Sequence, residues 1–202
     1  MAKITNVASA RKRKDGNDPH TCYACHEDIA EGQSYSWCQP SRYSPRINWH
    51  STCPTPPPSR LESNEKRAAA MAAFEEGYDD LSALRETDTE TTTVDGEEVV
   101  FDPEAFVEEI KSVLGAIAEN VREAGELWRE AASNIEDGFG HSTSMSEEFE
   151  GYADDVEGVA DEVDNIEPDE YDAEQWDDVQ QWLEATIDSV VDEMGSAEGN
   201  LP

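Results

Sequence analysis

The sequence predicts a mainly α protein: a small metal-binding module, then an acidic antiparallel helical hairpin or bundle. Three observations carry that prediction. All four cysteines and three of the four histidines lie within residues 20–53. Charge divides sharply, with 10 basic and 7 acidic side chains in residues 1–67 against 4 and 41 in residues 68–202. Beyond residue 68, apolar side chains recur at steps of three and four, the period of an amphipathic helix.

The whole chain carries a net charge of −34. Three readings fit such an acid excess. Disorder is one, since low hydrophobicity with high charge leaves too little to bury, but the regular apolar spacing argues against it. Adaptation to a salty cytoplasm is the second, and only 5 of the 14 basic residues are lysine, which suits it. The third is a functional acidic surface that mimics DNA or takes a basic partner. No run of 18 apolar residues occurs, so no membrane-spanning helix and no membrane partner are expected. The first ten residues lack the apolar core of a signal peptide. The expected location is the cytoplasm, where thiols stay reduced.

Residues 1–18 read as a flexible basic arm with the run Arg11-Lys12-Arg13-Lys14. Residues 19–58 are the metal module, ending in the stiff stretch Pro54-Thr55-Pro56-Pro57-Pro58. Ser59-Arg60-Leu61-Glu62 matches a capping box, so a helix is expected over 59–86, with Met71, Phe74, Tyr78, Leu81 and Leu84 inward. Residues 87–101 are a hairpin or a linker. Residues 91–94, Asp95-Gly96 and 97–101 carry a hairpin signal, but an unpacked hairpin is marginal.

Residues 102–195 are the acidic helical bundle, and 196–202 a tail. Asp102-Pro103 is a cap followed by proline at the first helical position. From there Phe106, Ile110, Val113, Ile117, Val121, Ala124, Trp128, Ala131 and Ile135 form one stripe, and Asp137-Gly138-Phe139-Gly140 stops the helix. Ser144-Met145-Ser146-Glu147 is a second capping box. Met145, Phe149, Tyr152, Val156, Val159, Val163 and Ile166 then alternate steps of four and three, the heptad spacing of a coiled-coil seam. Gly151 and Gly158 lie off that seam. A last helix is expected from the cap Asp172 to Gly195, with Trp176, Val179, Leu183, Ile187, Val190 and Met194 inward. The short link over 136–144 makes the second and third helices antiparallel. The stripes require closure within the chain or by a second copy, so a homo-oligomer through the helices is one expectation.

The sharpest chemical signal is Cys22-x2-Cys25, a gap of 24 residues, and His50-x2-Cys53. Each pair places two donors on one tight turn, and together they supply the four nitrogen and sulfur ligands of tetrahedral zinc. A Cys3His set leaves no open position, so the expected role is structural, supplying folding energy that a module this small lacks. Cys38 has no paired neighbour and reads as a packed thiol, although it could replace His50. His26 is a poor companion to the adjacent Cys25. His20 is expected at the surface, and His141 as a turn residue.

Cys22-x2-Cys25, Ile29, Gly32, Tyr35, Trp37 and Trp49-His50-x2-Cys53 resemble the zinc finger of the poly(ADP-ribose) polymerase type, a treble-clef-like module. The chain is also similar to uncharacterised zinc-finger proteins of tailed viruses infecting actinobacteria and haloarchaea. In those a Pro-Ser helix start and an acidic helical region follow the finger, as in residues 121–164 here. The resemblance implies Cys22, Cys25, His50 and Cys53 as zinc ligands, and a viral origin with residence in the host cytoplasm or association with the virion. It implies no established activity.

Several functions compete. A nucleic-acid adaptor would use Arg11, Lys12, Arg13, Lys14, Arg42 and Arg46, with Tyr35, Trp37, Tyr43 and Trp49 stacking or packing. On the plainer reading, Trp37 and Trp49 form the module's small core. A scaffold joining protein partners needs no more chemistry than the module and the bundle. An acidic mimic of DNA, inhibiting a host DNA-binding protein, is the alternative. Enzymatic activity is not expected, because the chain has no Gly-rich phosphate loop, no Gly-x-Ser-x-Gly and no His-Glu-x-x-His.

Overall fold

A computed structural model describes residues 3–11, 20–41, 44–87, 89, 92–94, 97–99 and 101–202. The chain divides into two compact units, Met1–Ala68 and Ala69–Pro202.

The first unit is built on a three-stranded antiparallel sheet, β1 (Thr5–Val7), β2 (Tyr35–Cys38) and β3 (Ile47–His50), in the order β1-β2-β3. Cross-strand register places Thr5, Trp37 and Asn48 in one row and Val7, Tyr35 and His50 in the next. Strand alternation sends Cys38 and Trp49 to the other face. There they close a small core with Ala10, Cys22, Ile29 and Leu61. The sheet corrects, over residues 5–10, the reading of residues 1–18 as a flexible arm; residues 12–18 lie outside the described set. Residues 5–7 pair with β2, and Ala10 is buried, its backbone bonded to Gln33 and Gly32. A three-residue strand gives almost no period-2 signal, which is why the sequence hid it.

The helix expected over 59–86 is two helices. α1 (Pro58–Leu61) is a single turn without a side-chain cap, and it delivers Leu61 to the core. The chain is extended at Glu62, whose carboxylate accepts from the backbone N–H groups of Ser63 and Asn64. Asn64 is the true cap of α2 (Glu65–Arg85): its Oδ1 accepts from Lys66 N at 3.1 Å and Arg67 N at 3.4 Å. The Ser59 box fails because Glu62 spends its acceptors on the next turn instead.

The second unit is organised on α3 (Pro103–Phe139), 37 residues and about 55 Å long at 1.5 Å per residue. Asp102 caps it, accepting from Glu104 N and Ala105 N, and Gly140 closes it at φ 73°, a conformation glycine adopts without Cβ strain. α4 (Ser144–Asp164) folds back along its far half. Arg122 reaches Asp161 and Asp164, Arg129 reaches Asp154 and Glu157, and Ser146 Oγ donates to Glu136, an antiparallel register. α5 (Val179–Glu198) and α2 cover the near half. Phe106 meets Trp182 edge-on, and Gly77 lies so close to Ile117 that a Cβ there would sit 2.2 Å from Ile117 Cδ1.

One core runs through α2, α3, α4 and α5. Contact on two sides explains why Val107, Leu114 and Ala118 of α3 are buried beside the expected stripe. Residues 92–94 (β4) and 97–99 (β5) pair antiparallel, so the hairpin alternative holds for the backbone; residues 95 and 96 lie outside the described set.

Three details differ from the expectations. Thr143, not Ser144, caps α4, in a reciprocal box with the buried Ser146, and Met145 is 56% exposed rather than part of the seam. Asp172 heads only an isolated turn; Asp178 caps α5, bringing the wholly buried Trp182 into the first turn. The expected tail continues the helix to Glu198, and Leu201 is buried. Gly195 is helical because the contacts of Tyr78 with Glu198 and of Met194 with the core hold the last turn. Among the described residues, no helix is long and apolar enough to cross a membrane.

Candidate metal centre

Cys22 to Ile29 form a tight knuckle. Thr21 bridges Asp28, Cys22 N donates to Glu27 O, and His26 N donates to Cys22 O at 3.0 Å. His26 takes φ 59°, the left-handed conformation needed to reverse the chain directly after Cys25. Tyr23 N donates to Asn48 O at 2.7 Å, anchoring the knuckle to β3. The second pair comes from the end of β3, where Cys53 N donates to His50 O at 3.0 Å. The result is that the donor atoms of Cys22, Cys25, His50 and Cys53 all lie within 4.8 Å of one another.

The ring of His50 fixes the chemistry. Its Nδ1 lies 3.4 Å from Cys25 Sγ and 3.8 Å from Cys53 Sγ. Its Nε2 lies 3.2 Å from Gln33 Oε1. That same oxygen accepts from Ala30 N at 2.6 Å, which identifies it as the carbonyl end of the amide. It therefore accepts from an Nε2–H, leaving the lone pair of Nδ1 facing the sulfurs, the tautomer a metal requires. The Ala30–Gln33 turn that presents Gln33 carries Gly32 at φ 90°. For a tetrahedral ion with bonds of about 2.3 Å to sulfur and 2.0 Å to nitrogen, the sulfur–nitrogen edge is about 3.5 Å. The observed separations fit, and the four residues can hold a metal ion.

Electrostatics favour thiolate at one end of the cluster. Burial works against the charged form of Cys22, but backbone N–H groups of Cys25, His50 and Ala24 outweigh it and lower its pKa to about 6. His50 N is among them, 3.4 Å from Cys22 Sγ. Desolvation, then the nearby Cys22 and Cys25, push Cys53 up to about 11. A cation at the centre would relieve that repulsion.

Cys38 stays outside the cluster. It is fully buried in the small core, and desolvation raises its pKa. His20 is half-buried against the Tyr35 ring, and His141 bonds the carbonyl of Phe139. Of the residues named for nucleic acid, Arg11 is exposed, and the Arg46 guanidinium stacks 4.2 Å over Trp37. Lys12, Arg13, Lys14, Arg42 and Tyr43 lie outside the described residues. Trp49 belongs to the core as expected, but Trp37 does not and lies on the opposite face of the sheet. Gln33 is the site residue that sequence reasoning missed; the only hint is a polar side chain following the turn glycine.

Comparison with protein-family models, with curated proteins and with solved structures finds no match to this chain.

Proposed function

We propose that the chain is a non-enzymatic zinc-binding adaptor: a treble-clef-like module folded around zinc, carried with an acidic helical bundle that takes a partner. The convergence of three thiols and the Nδ1 of His50 carries this reading. Three soft sulfur donors with one imidazole select zinc over hard cations. Four protein ligands leave no position for substrate or water, so the ion's contribution is to folding. Cys22, Cys25, His50 and Cys53 hold it, and Gln33 orients His50.

Metal analysis of the purified chain tests this. One zinc per chain is expected, lost in a Cys22→Ser/Cys53→Ser double variant and retained in Cys38→Ala. Full metal content in the double variant would overturn the assignment.

A second reading is that the module contacts nucleic acid. The observation favouring it is the exposed Arg46 stacked on Trp37, a cation and an aromatic face presented together on the sheet. Each phosphate contact removed should flatten the salt dependence of binding by about one counterion. Single-stranded DNA titrated against the full chain and an Arg46→Ala variant, at several salt concentrations, decides it. Equal slopes would remove Arg46 from any interface.

A further inference from the structure

The far half of α3 and the start of α4 carry an apolar groove with one side open. In the near half, the α3 face that includes Ile117 is covered by α2 at Gly77, against which Met194 of α5 also packs. The same face continues at about 100° per residue through Ala124, Leu127, Ala131 and Ile135. Beyond Ala124 its exposure rises. Ala69, Ala72 and Ala73 of α2 line a cleft of about 330 Å³ with Ala124 and Leu127. Past it Leu127 is 41% exposed and Phe139 68%. Across the groove, α4 presents Met145, Phe149 and Tyr152, spaced four and three. Phe149 and Tyr152 pack on Trp128 at 5.1 and 5.0 Å, and Met145 is 56% exposed.

The two sides of this hairpin differ in kind. The back is polar and partly ion-paired: Arg129 there pairs with Glu126, Asp154 and Glu157, and Ser146 bonds Glu136. The front has an aromatic and aliphatic floor between exposed carboxylates, Glu123 and Glu130 on α3 and Glu148 and Asp155 on α4. Within residues 69–202 no lysine or arginine forms an ion pair with them. All four basic side chains of residues 69–202 are held in ion pairs elsewhere: Arg85 with Asp188, Lys111 with Glu108, and Arg122 and Arg129 with α4.

We propose that this groove docks a basic amphipathic helix from a partner protein, which lies along α3 and α4 as α2 does further down. The cover of the near half supplies the shape of the occupant, a helix. The carboxylate rims supply its charge: cationic side chains flanking an apolar stripe. A second copy of this chain would bring its own carboxylates against the same rims, so it is the poorer occupant. The open stretch from Leu127 to Phe139 spans about 18 Å, so three to four turns of partner helix fill it. The inference deepens the adaptor reading, on which it rests for there being a partner, while metal plays no part in its test.

The probe is a synthetic amphipathic peptide of about 18 residues, with Leu at the a and d positions and Lys at e and g, titrated as a fluorescent conjugate into the full chain. Saturable binding is expected, weakened about tenfold or more by Leu127→Glu or Met145→Glu. Both positions are exposed, so the variants should fold, as circular dichroism checks. Each adds negative charge, so attraction by charge alone would tighten with them. Ser133→Glu, on the back of the hairpin, adds the same charge and should not weaken binding. No binding, or binding undiminished in both groove variants, would overturn the proposal. Equal binding of a peptide with Glu in place of Lys would remove the charge argument and overturn it too. Sedimentation that shows a dimer of the chain, abolished by Met145→Glu, would assign the groove to a second copy instead.

Discussion

Removing the Gln33 carboxamide perturbs the metal centre without touching a ligand. In Gln33→Ala the Oε1 that receives His50 Nε2–H is lost, and so is the acceptor for Ala30 N. The two losses are unequal. Ala30 is exposed, so water replaces its partner, whereas His50 is only 8% exposed and its Nε2–H is stranded. The imidazole then loses both its orientation and the pull that fixes its tautomer. Outer partners of this type are worth about 10- to 100-fold in metal affinity, or about 1.4–2.7 kcal/mol. Competition of the chain with a chromogenic chelator for zinc measures this directly. The visible spectrum of the cobalt-substituted chain reports whether the tetrahedral geometry survives. Gln33→Glu keeps an acceptor at the same place and should hold the metal at least as tightly as the parent. An affinity for Gln33→Ala within twofold of the parent would refute the reasoning. So would a Gln33→Glu variant as weak as Gln33→Ala, since the effect would then belong to the turn and not to the hydrogen bond.

Zinc uptake should release protons: from Cys53 near pH 8, since its thiol is pushed up to about 11, and additionally from Cys22 as pH falls through about 6. Apparent affinity should therefore drop steadily toward acid, and calorimetry in buffers of different ionisation enthalpy counts the protons. Gly151→Ala and Gly158→Ala should each stabilise the helical unit by about 0.5–1 kcal/mol in thermal melts, because a Cβ at either meets nothing within 4 Å. Gly77→Ala should destabilise it, since its Cβ collides with the buried Ile117 and overpacking costs about 1–3 kcal/mol against a smaller propensity gain. Added salt should raise the melting temperature of the helices, as the 41 carboxylates of residues 68–202 repel one another in dilute buffer with only 4 cations to offset them.

The spacing of Cys22, Cys25, His50 and Cys53 announced their meeting because short-range pairs impose turns whatever else the chain does. The apolar stripes of α3 and α5 were equally plain, because a helix repeats its buried face often enough to be counted. β1 is three residues long, too short for alternation to register. Capping was misplaced at Ser59, Ser144 and Asp172 because several hydroxyl and carboxylate side chains compete for the same backbone N–H groups. The winner is set by where neighbours such as Leu61, Ser146 and Trp182 find room in the core. Gln33 acts through a ring 17 residues away, and no local pattern encodes that. Val107, Leu114 and Ala118 were passed over because a stripe drawn for one partner misses the second wall of a helix that has two.

The length of α3 has a further consequence. Its first half is walled by helices from two directions, while from Trp128 to Phe139 its aromatic packing is against α4 and its exposure rises toward the tip. Opening free energy should therefore fall along one continuous rod. Amide hydrogens around Ile117 should exchange only through global unfolding, and those near Ile135 through a smaller event in which α4 peels away. That frayed end is the one carrying the open groove. A ligand seated there would act as a splint, slowing exchange at the tip while leaving the rates near Ile117 where they were.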